Sequence, residues 1–157
     1  MTQELVFETS RGAFTVALEP DSSPATTSSM LDLARKGFFD GTHFHRVVPG
    51  FVIQGGDPTG TGTGGPGYKT VDPPEPGTRY TKGVVAMAKA AAEPPGTAGS
   101  QFFVVTAEDA GLPPEYAVIG RVNDGLDVVE EIGRLAERGS ERPSERVVIE
   151  SVTVNEP

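Results

Sequence analysis

The sequence predicts a mainly β fold: a closed eight-stranded antiparallel β-barrel capped by two α-helices. Three observations lead there. About eight short segments alternate apolar and polar residues, or run apolar, in the manner of strands. Only two segments carry helical spacing, and they are not interleaved one per strand, which argues against a parallel doubly wound sheet. Glycine (20) and proline (14) are dispersed through the 157 residues, so turns are many and a helical bundle is disfavoured. An antiparallel sheet with this many strands curls or closes to remove its edges.

Residues 4–9 and 13–18 alternate, with Leu5 and Phe7 on one face and Phe14, Val16 and Leu18 on another. Ser10-Arg11-Gly12 supplies turn chemistry between them, so a β-hairpin opens the chain. Ser23-Pro24 begins a helix: serine can cap free amides, and proline suits the first helical position because its missing N–H has no partner there. Met30, Leu33 and Ala34 follow at helical spacing. Arg35 and Lys36 suit the negative C-terminal end, and Gly37 can end the helix in a left-handed conformation. Residues 43–48 and 51–54 read as strands broken by Pro49-Gly50. The glycine-rich stretch 55–67 and the proline-rich stretch 71–79 read as loops, and 91–96 as a turn-rich excursion. Buried strands are expected at 84–88 and 102–106, and a further strand at 118–122. A second helix over 126–137 places Leu126, Val129, Ile132 and Gly133 on one side, and a β-branched strand at 147–154 closes the fold.

The length suits one domain, expected to span 1–157. Thirteen basic against 22 acidic side chains give a net charge of −9, a surface that repels phosphate backbones, so no nucleic-acid partner is expected. Without cysteine there is no disulfide framework, thiol nucleophile or cysteine-based zinc site. The first residues lack a basic segment followed by an apolar one, and no apolar run approaches the roughly 20 residues that span a bilayer. A monomer in the cytoplasm, with no membrane partner, is the expectation.

Chemistry-bearing residues concentrate in Phe44-His45-Arg46-Val47-Val48-Pro49-Gly50-Phe51-Val52-Ile53-Gln54-Gly55-Gly56-Asp57. Strand alternation puts Phe44, Arg46 and Val48 on one face, and Val52 and Gln54 on one face after the Pro-Gly break. In Gly99-Ser100-Gln101-Phe102-Phe103-Val104, Gln101 and Phe103 share a face opposite Phe102 and Val104. An arginine and two amides beside an aromatic wall suit a neutral, carbonyl-rich, partly apolar ligand such as a peptide. His43-x-His45 is a possible metal pair, but the carboxylate and third histidine of such a motif are missing, so structural histidines are expected. The glycine-rich loop lacks the Gly-Lys-Ser/Thr of a phosphate cradle, and Asp57 at its start is expected to fix a turn.

FHRVVPGFVIQGGD, the later GSQFF, and the opening hairpin before a proline-started helix resemble the cyclophilin family of peptidyl-prolyl cis-trans isomerases from about residue 5 to 154. The resemblance implies an eight-stranded antiparallel barrel with two capping helices, and an isomerase that acts on X–Pro bonds of peptides and unfolded or partly folded proteins. It assigns Arg46 as the catalytic arginine, and Phe51, Val52, Phe103 and Leu112 as walls of a proline pocket. Gln54 and Gln101 would hold substrate carbonyls, and Ala88 and Lys89 would bind the substrate main chain. Tyr116 stands where histidine is frequent, Val52 where methionine is common and Lys89 where asparagine is usual. No cofactor is implied. Gly111 stands where cyclosporin-sensitive members carry tryptophan, so cyclosporin binding is expected to be weakened. Ile119 replaces a common aromatic, and the segment 90–97 is longer than usual. The rival readings are a proline-binding module without catalysis, and a general chaperone that would survive loss of Arg46.

Overall fold

The computed structural model describes residues 3–156. Along the chain run β1 (Glu4–Thr9), β2 (Gly12–Leu18), α1 (Pro24–Arg35), β3 (Arg46–Val48), β4 (Val52–Gly55), β5 (Thr70–Val71), β6 (Val84–Met87), β7 (Thr97–Ala98), β8 (Phe102–Val105), β9 (Val118–Asp124), α2 (Leu126–Gly133) and β10 (Ile149–Asn155). Eight strands form one sheet in the order β10-β1-β2-β9-β6-β8-β4-β3, every neighbour antiparallel. β5 and β7 pair separately; at two residues each they are too short for a periodicity to announce them.

Closure is looser than a continuous barrel. β10 and β3 are the two edges of the sheet, with no ladder between them among the described residues. A single bridge, His43 to Val148, joins the edges, with main-chain bonds from Gly41 to Ile149, Ile149 to Thr42 and Phe44 to Val147 at 2.8, 2.7 and 3.1 Å. The sheet therefore curls back on itself through an irregular segment where a strand over 43–48 was expected. This also corrects the expected facing of Phe44. No continuous strand runs through 44 and 45, and Phe44 and Val47 both join the interior cluster, so the two-residue alternation is broken and Phe44 lies inside while Arg46 lines the outer notch.

The hairpin forms as predicted, with Gly12 at φ +121°, a value that favours a residue without a Cβ. Helix α1 begins at Pro24, but the Ser23 hydroxyl is buried without a partner and caps nothing. Asp72, from the loop 46 residues on, does that work. Its carboxylate accepts from the Thr26 N–H and hydroxyl, both at 2.7 Å, where an anion also meets the positive end of the helix. The other end matches the prediction: Gly37 at φ +72° donates to Ala34 O, and Phe38 donates back to Leu33 O, satisfying the last carbonyls. Helix α2 stops at Gly133, short of 137, because the chain turns and Ala136 pairs with Pro143 while Glu137 N–H donates to Arg142 O.

Strands β6 and β8 are buried along their whole length, and period-2 alternation divides them between two apolar clusters. Phe102 and Val104 join Phe7, Phe14, Phe39, Phe44, Ile53 and Ile132 inside the curled sheet. Phe103 and Val105 face outward and join Val52, Tyr80, Val84 and Ala86 in a second cluster covered by Leu112 and Tyr116. Ile119 lies in the interior cluster, so the exchange of an aromatic there alters core packing and leaves the outer face untouched. No helix among the described residues is long and apolar enough to cross a membrane.

Candidate active site

The outer face of β3-β4-β8-β6 carries the site. Arg46 on β3 lies opposite Gln54 on β4, which lies opposite Phe103 on β8, which lies opposite Ala86 on β6. Register alone thus lines up guanidinium, amide and aromatic ring across three strands. A cavity of about 150 Å³ opens there, lined by Arg46, Phe51, Val52, Gln54, Ala88, Lys89, Phe103, Leu112 and Tyr116. Nine of the ten residues singled out in the sequence therefore surround one notch. Gln101 is one step removed, in an adjoining cavity of about 300 Å³ that shares Gln54, Ala88 and Lys89.

The polar side is a chain of donors. Arg46 Nη1 donates to Gln54 Oε1 at 3.3 Å, Gln54 Nε2 to Gln101 Oε1 at 3.2 Å, and Gln101 Nε2 to Gly64 O at 3.0 Å. Gln101 thus orients Gln54, and Gln54 orients the guanidinium. The opposite edge of Arg46 is held by Glu141: Nε donates to Oε1 at 2.8 Å and Nη2 to Oε2 at 3.3 Å. The hydrogen bond from Arg46, then its charge, holds the Glu141 carboxyl below the usual carboxylate range. Val47 N–H also donates to Glu141 O at 2.7 Å, which anchors this loop residue beside the arginine. No periodicity marks Glu141, 95 residues downstream in an irregular loop, and sequence reasoning missed it.

The apolar side is an aromatic corner. Phe103 and Tyr116 meet edge to face at 5.5 Å between centroids, and Tyr80 tilts against Phe103 and meets Tyr116 edge to face. Tyr80 is fully buried; its hydroxyl donates to Tyr116 O at 2.7 Å and accepts from Tyr116 N–H at 3.0 Å, clamping the main chain of the pocket wall. Burial raises the Tyr80 pKa, so the hydroxyl keeps the proton this clamp needs. Tyr80 directly follows the proline-rich stretch 71–79, and no spacing in the sequence marks it. The Arg46 guanidinium stands 6.0 Å from the Phe51 ring centroid.

Lys89 does not project freely. Its side chain is 2% exposed, pairs with Glu115 at 2.9 Å and lies 5.7 Å from the Tyr116 ring centroid. Ala88 donates its N–H to Gln101 O at 3.0 Å inside the sheet, so a ligand's main chain would have to use the Ala88 carbonyl or the main chain of Lys89. At Gly111, next to the lining residue Leu112, φ is +68° and no atom lies within 4 Å of where a Cβ would stand.

The glycine-rich loop beside the site is pinned by Asp57. Its carboxylate accepts from Thr59 N–H and hydroxyl at 2.8 Å each and from Gly62 N–H at 2.6 Å, the turn-fixing role read from the sequence. Burial pushes the Asp57 pKa up, but the hydrogen bonds from Thr59, Gly64 and Gly62 outweigh it and leave the carboxyl far below its ordinary 3.8. His43 and His45 are both held below 6.5 by burial first, opposed by the Asp57 charge. These directions set the sign of acid destabilisation. The histidines fold best neutral, so their contribution is complete above 6.5 and is lost as pH falls through their folded values. Asp57 contributes above 3.8 and loses its contribution only in stronger acid. The urea midpoint should hold steady from pH 8 to 6.5, fall below it, and fall again below 3.8. Asp57→Asn should cost about 1–3 kcal/mol at pH 7 and shrink the second fall; a midpoint indifferent to that substitution would contradict the assignment.

Among the described residues no group of three His, Asp or Glu side chains is placed to hold a metal ion. The arrangement is a small, partly apolar notch with a fixed guanidinium among its lining residues and a second cavity adjoining it. A family model described as cyclophilin type peptidyl-prolyl cis-trans isomerase/CLD matches residues 4–154. The chain is 39% identical over 160 residues to a peptidyl-prolyl cis-trans isomerase-like 1 of Gibberella zeae, covering 99% of this chain and 97% of that one. It is 40% identical over 172 residues to peptidyl-prolyl cis-trans isomerase A of Mycobacterium tuberculosis, covering 98% and 93%. The crystal structure of a Cryptosporidium parvum cyclophilin type peptidyl-prolyl cis-trans isomerase matches with a TM-score of 0.91 at 30% identity, over 100% of this chain and 99% of that one. A second structure of that protein, obtained in the presence of the dipeptide Ala-Pro, matches with a TM-score of 0.89 at 30% identity, over 98% and 99%. With a family model over residues 4–154 and both sequence and overall fold similar over nearly its whole length, the chain belongs to the cyclophilin-type peptidyl-prolyl cis-trans isomerases.

Proposed function

We propose that this protein accelerates rotation of X–Pro amide bonds in peptides and in unfolded or partly folded proteins, assisting folding, with Arg46 stabilising the twisted amide. The observation that carries this is the Arg46 guanidinium at the rim of an apolar notch of about 150 Å³. Its neighbour Gln54 is already oriented by Gln101. A relative solved in the presence of Ala-Pro supports a proline-containing substrate.

The uncatalysed barrier is about 18–20 kcal/mol because the amide nitrogen lone pair is delocalised. At the twisted state that lone pair localises, and the nitrogen becomes a better acceptor. Arginine is always charged and only donates, so a guanidinium aimed at that nitrogen binds the twisted state better than either planar one. This is differential binding with no covalent step and no net proton transfer. A 10⁴-fold acceleration requires about 5.4 kcal/mol. One fixed donor in a water-poor site supplies about 3–4 kcal/mol, and desolvation of the ring against Phe51, Val52, Phe103 and Leu112 with positioning by Gln54 supplies the rest. Glu141 and Gln54 grip the guanidinium from two sides, which lowers the entropy lost when it meets the amide. The open space at Gly111, next to the lining residue Leu112, supports the expectation that cyclosporin binding is weakened.

The test is NMR line-shape exchange on an Ala-Pro peptide at substoichiometric protein. Accelerated cis–trans exchange, flat between about pH 6.5 and 8 because no catalytic group titrates there, is the expected result. Binding without faster exchange would make the protein a docking module instead, and a steep bell-shaped profile would expose missing acid–base chemistry.

A further inference from the structure

The loop at 141–146 reads Glu-Arg-Pro-Ser-Glu-Arg, and its charges are sorted. Both carboxylates are engaged elsewhere, Glu141 by Arg46 and Glu145 by Arg11. The two guanidiniums, Arg142 and Arg146, have no carboxylate within 4.0 Å among the described residues, although acidic side chains outnumber basic ones 22 to 13. They line a cavity of about 500 Å³ together with His43, His45, Thr59 and Thr61. This cavity shares no lining residue with the proline notch.

Its floor is fixed. Asp57 pins the loop, and the hydroxyls of Thr59, Thr61 and Thr63 follow one another at 2.8 Å. The Asp57 carboxylate, the opposing charge nearby, is already occupied by donors from Thr59 and Gly62. Two like charges lining one cavity without a counter-ion disfavour each other, and an anion seated in that cavity is attracted by both.

We propose that this cavity binds a tetrahedral phosphoryl oxyanion, held by the forks of Arg142 and Arg146 with an imidazole donor from His43. Guanidinium forks match phosphate oxygens in pairs. Two guanidinium forks offer more donors than a carboxylate's two oxygens can use, which favours a group with three or four. The bound group is either free phosphate or the phosphorylated side chain of a peptide, since both present the same chemistry.

The test is an amide NMR titration with inorganic phosphate at constant ionic strength, using chloride as the control salt. Saturable shifts confined to residues near 43–45, 59–62 and 142–146, and binding weakened at least tenfold in the Arg142→Gln/Arg146→Gln double variant, are expected. Shifts that fail to saturate, that chloride reproduces, or that persist unchanged in the double variant overturn the proposal. A second arm compares a proline-free phosphoserine peptide with its unphosphorylated form. Tighter binding of the phosphopeptide than of phosphate supports the site and assigns its ligand to a modified side chain; equal or weaker binding beside saturable phosphate binding supports the site and assigns it to the free ion. Isomerase activity of the double variant should equal that of the wild type, so this site and the proline notch fail or stand separately.

Discussion

Replacing Arg46 by alanine should lower kcat/KM for a proline-containing peptide by about 10²–10³-fold, the loss seen when one fixed donor is removed from a transition-state site. The fold should persist. Arg46 is partly exposed at the end of a three-residue strand, and its partner Glu141 is mostly exposed, so the lost ion pair costs at most about 1 kcal/mol. Arg46→Lys is the sharper variant. A lysine keeps the charge but has no planar fork, so it cannot hold Glu141 through one edge while turning Nη1 toward Gln54 and the pocket. Activity of the lysine variant should therefore fall at least tenfold. Turnover at the wild-type rate by a folded Arg46→Ala protein, followed without a coupling protease, would falsify the catalytic assignment and return the arginine to the role of a surface charge.

Phe102→Ala should be the most destabilising of the aromatic truncations, by about 3–5 kcal/mol in urea unfolding. The Phe102 side chain is fully buried, and its ring meets those of Phe7, Phe44 and Phe39 at 5.2, 5.9 and 6.2 Å between centroids. It therefore ties the opening hairpin and the irregular segment that closes the sheet to a central strand. The neighbouring Phe103 makes an instructive contrast. One residue along the same strand it faces outward, touches Tyr80 and Tyr116, and lines the notch. Phe103→Ala should damage peptide binding more than Phe102→Ala does, measured on whatever fraction is folded. A loss of less than about 1 kcal/mol for Phe102→Ala would mean that the interior relaxes around the gap and that the cluster is not the fold's centre.

That contrast also explains what a reader of the sequence can and cannot see. Period-2 alternation separates Phe102 from Phe103, and Val52 from Ile53, without coordinates, because a strand flips every side chain across the sheet. It fails at Phe44, where the strand is interrupted and the inference that Phe44 and Arg46 share a face breaks down. Local capping signals succeed at Gly37, which acts through its own φ. They fail at Ser23, because the amides of α1 are met by Asp72 from a distant loop. Glu141 and Tyr80 escape for the same reason: both act by long-range contact from irregular chain, where neither spacing nor propensity carries information. The strands short enough to have no period, β5 and β7, are hidden likewise.

The most direct test of the central claim separates binding from rotation. Line-shape fitting of an Ala-Pro peptide with wild type and Arg46→Ala yields both the dissociation constant and the exchange rate on the protein. If the guanidinium acts on the twisted amide, the on-protein rate falls by about 10²-fold or more while the dissociation constant moves only a few-fold. An unchanged exchange rate, or a loss carried wholly by weaker binding, would contradict it.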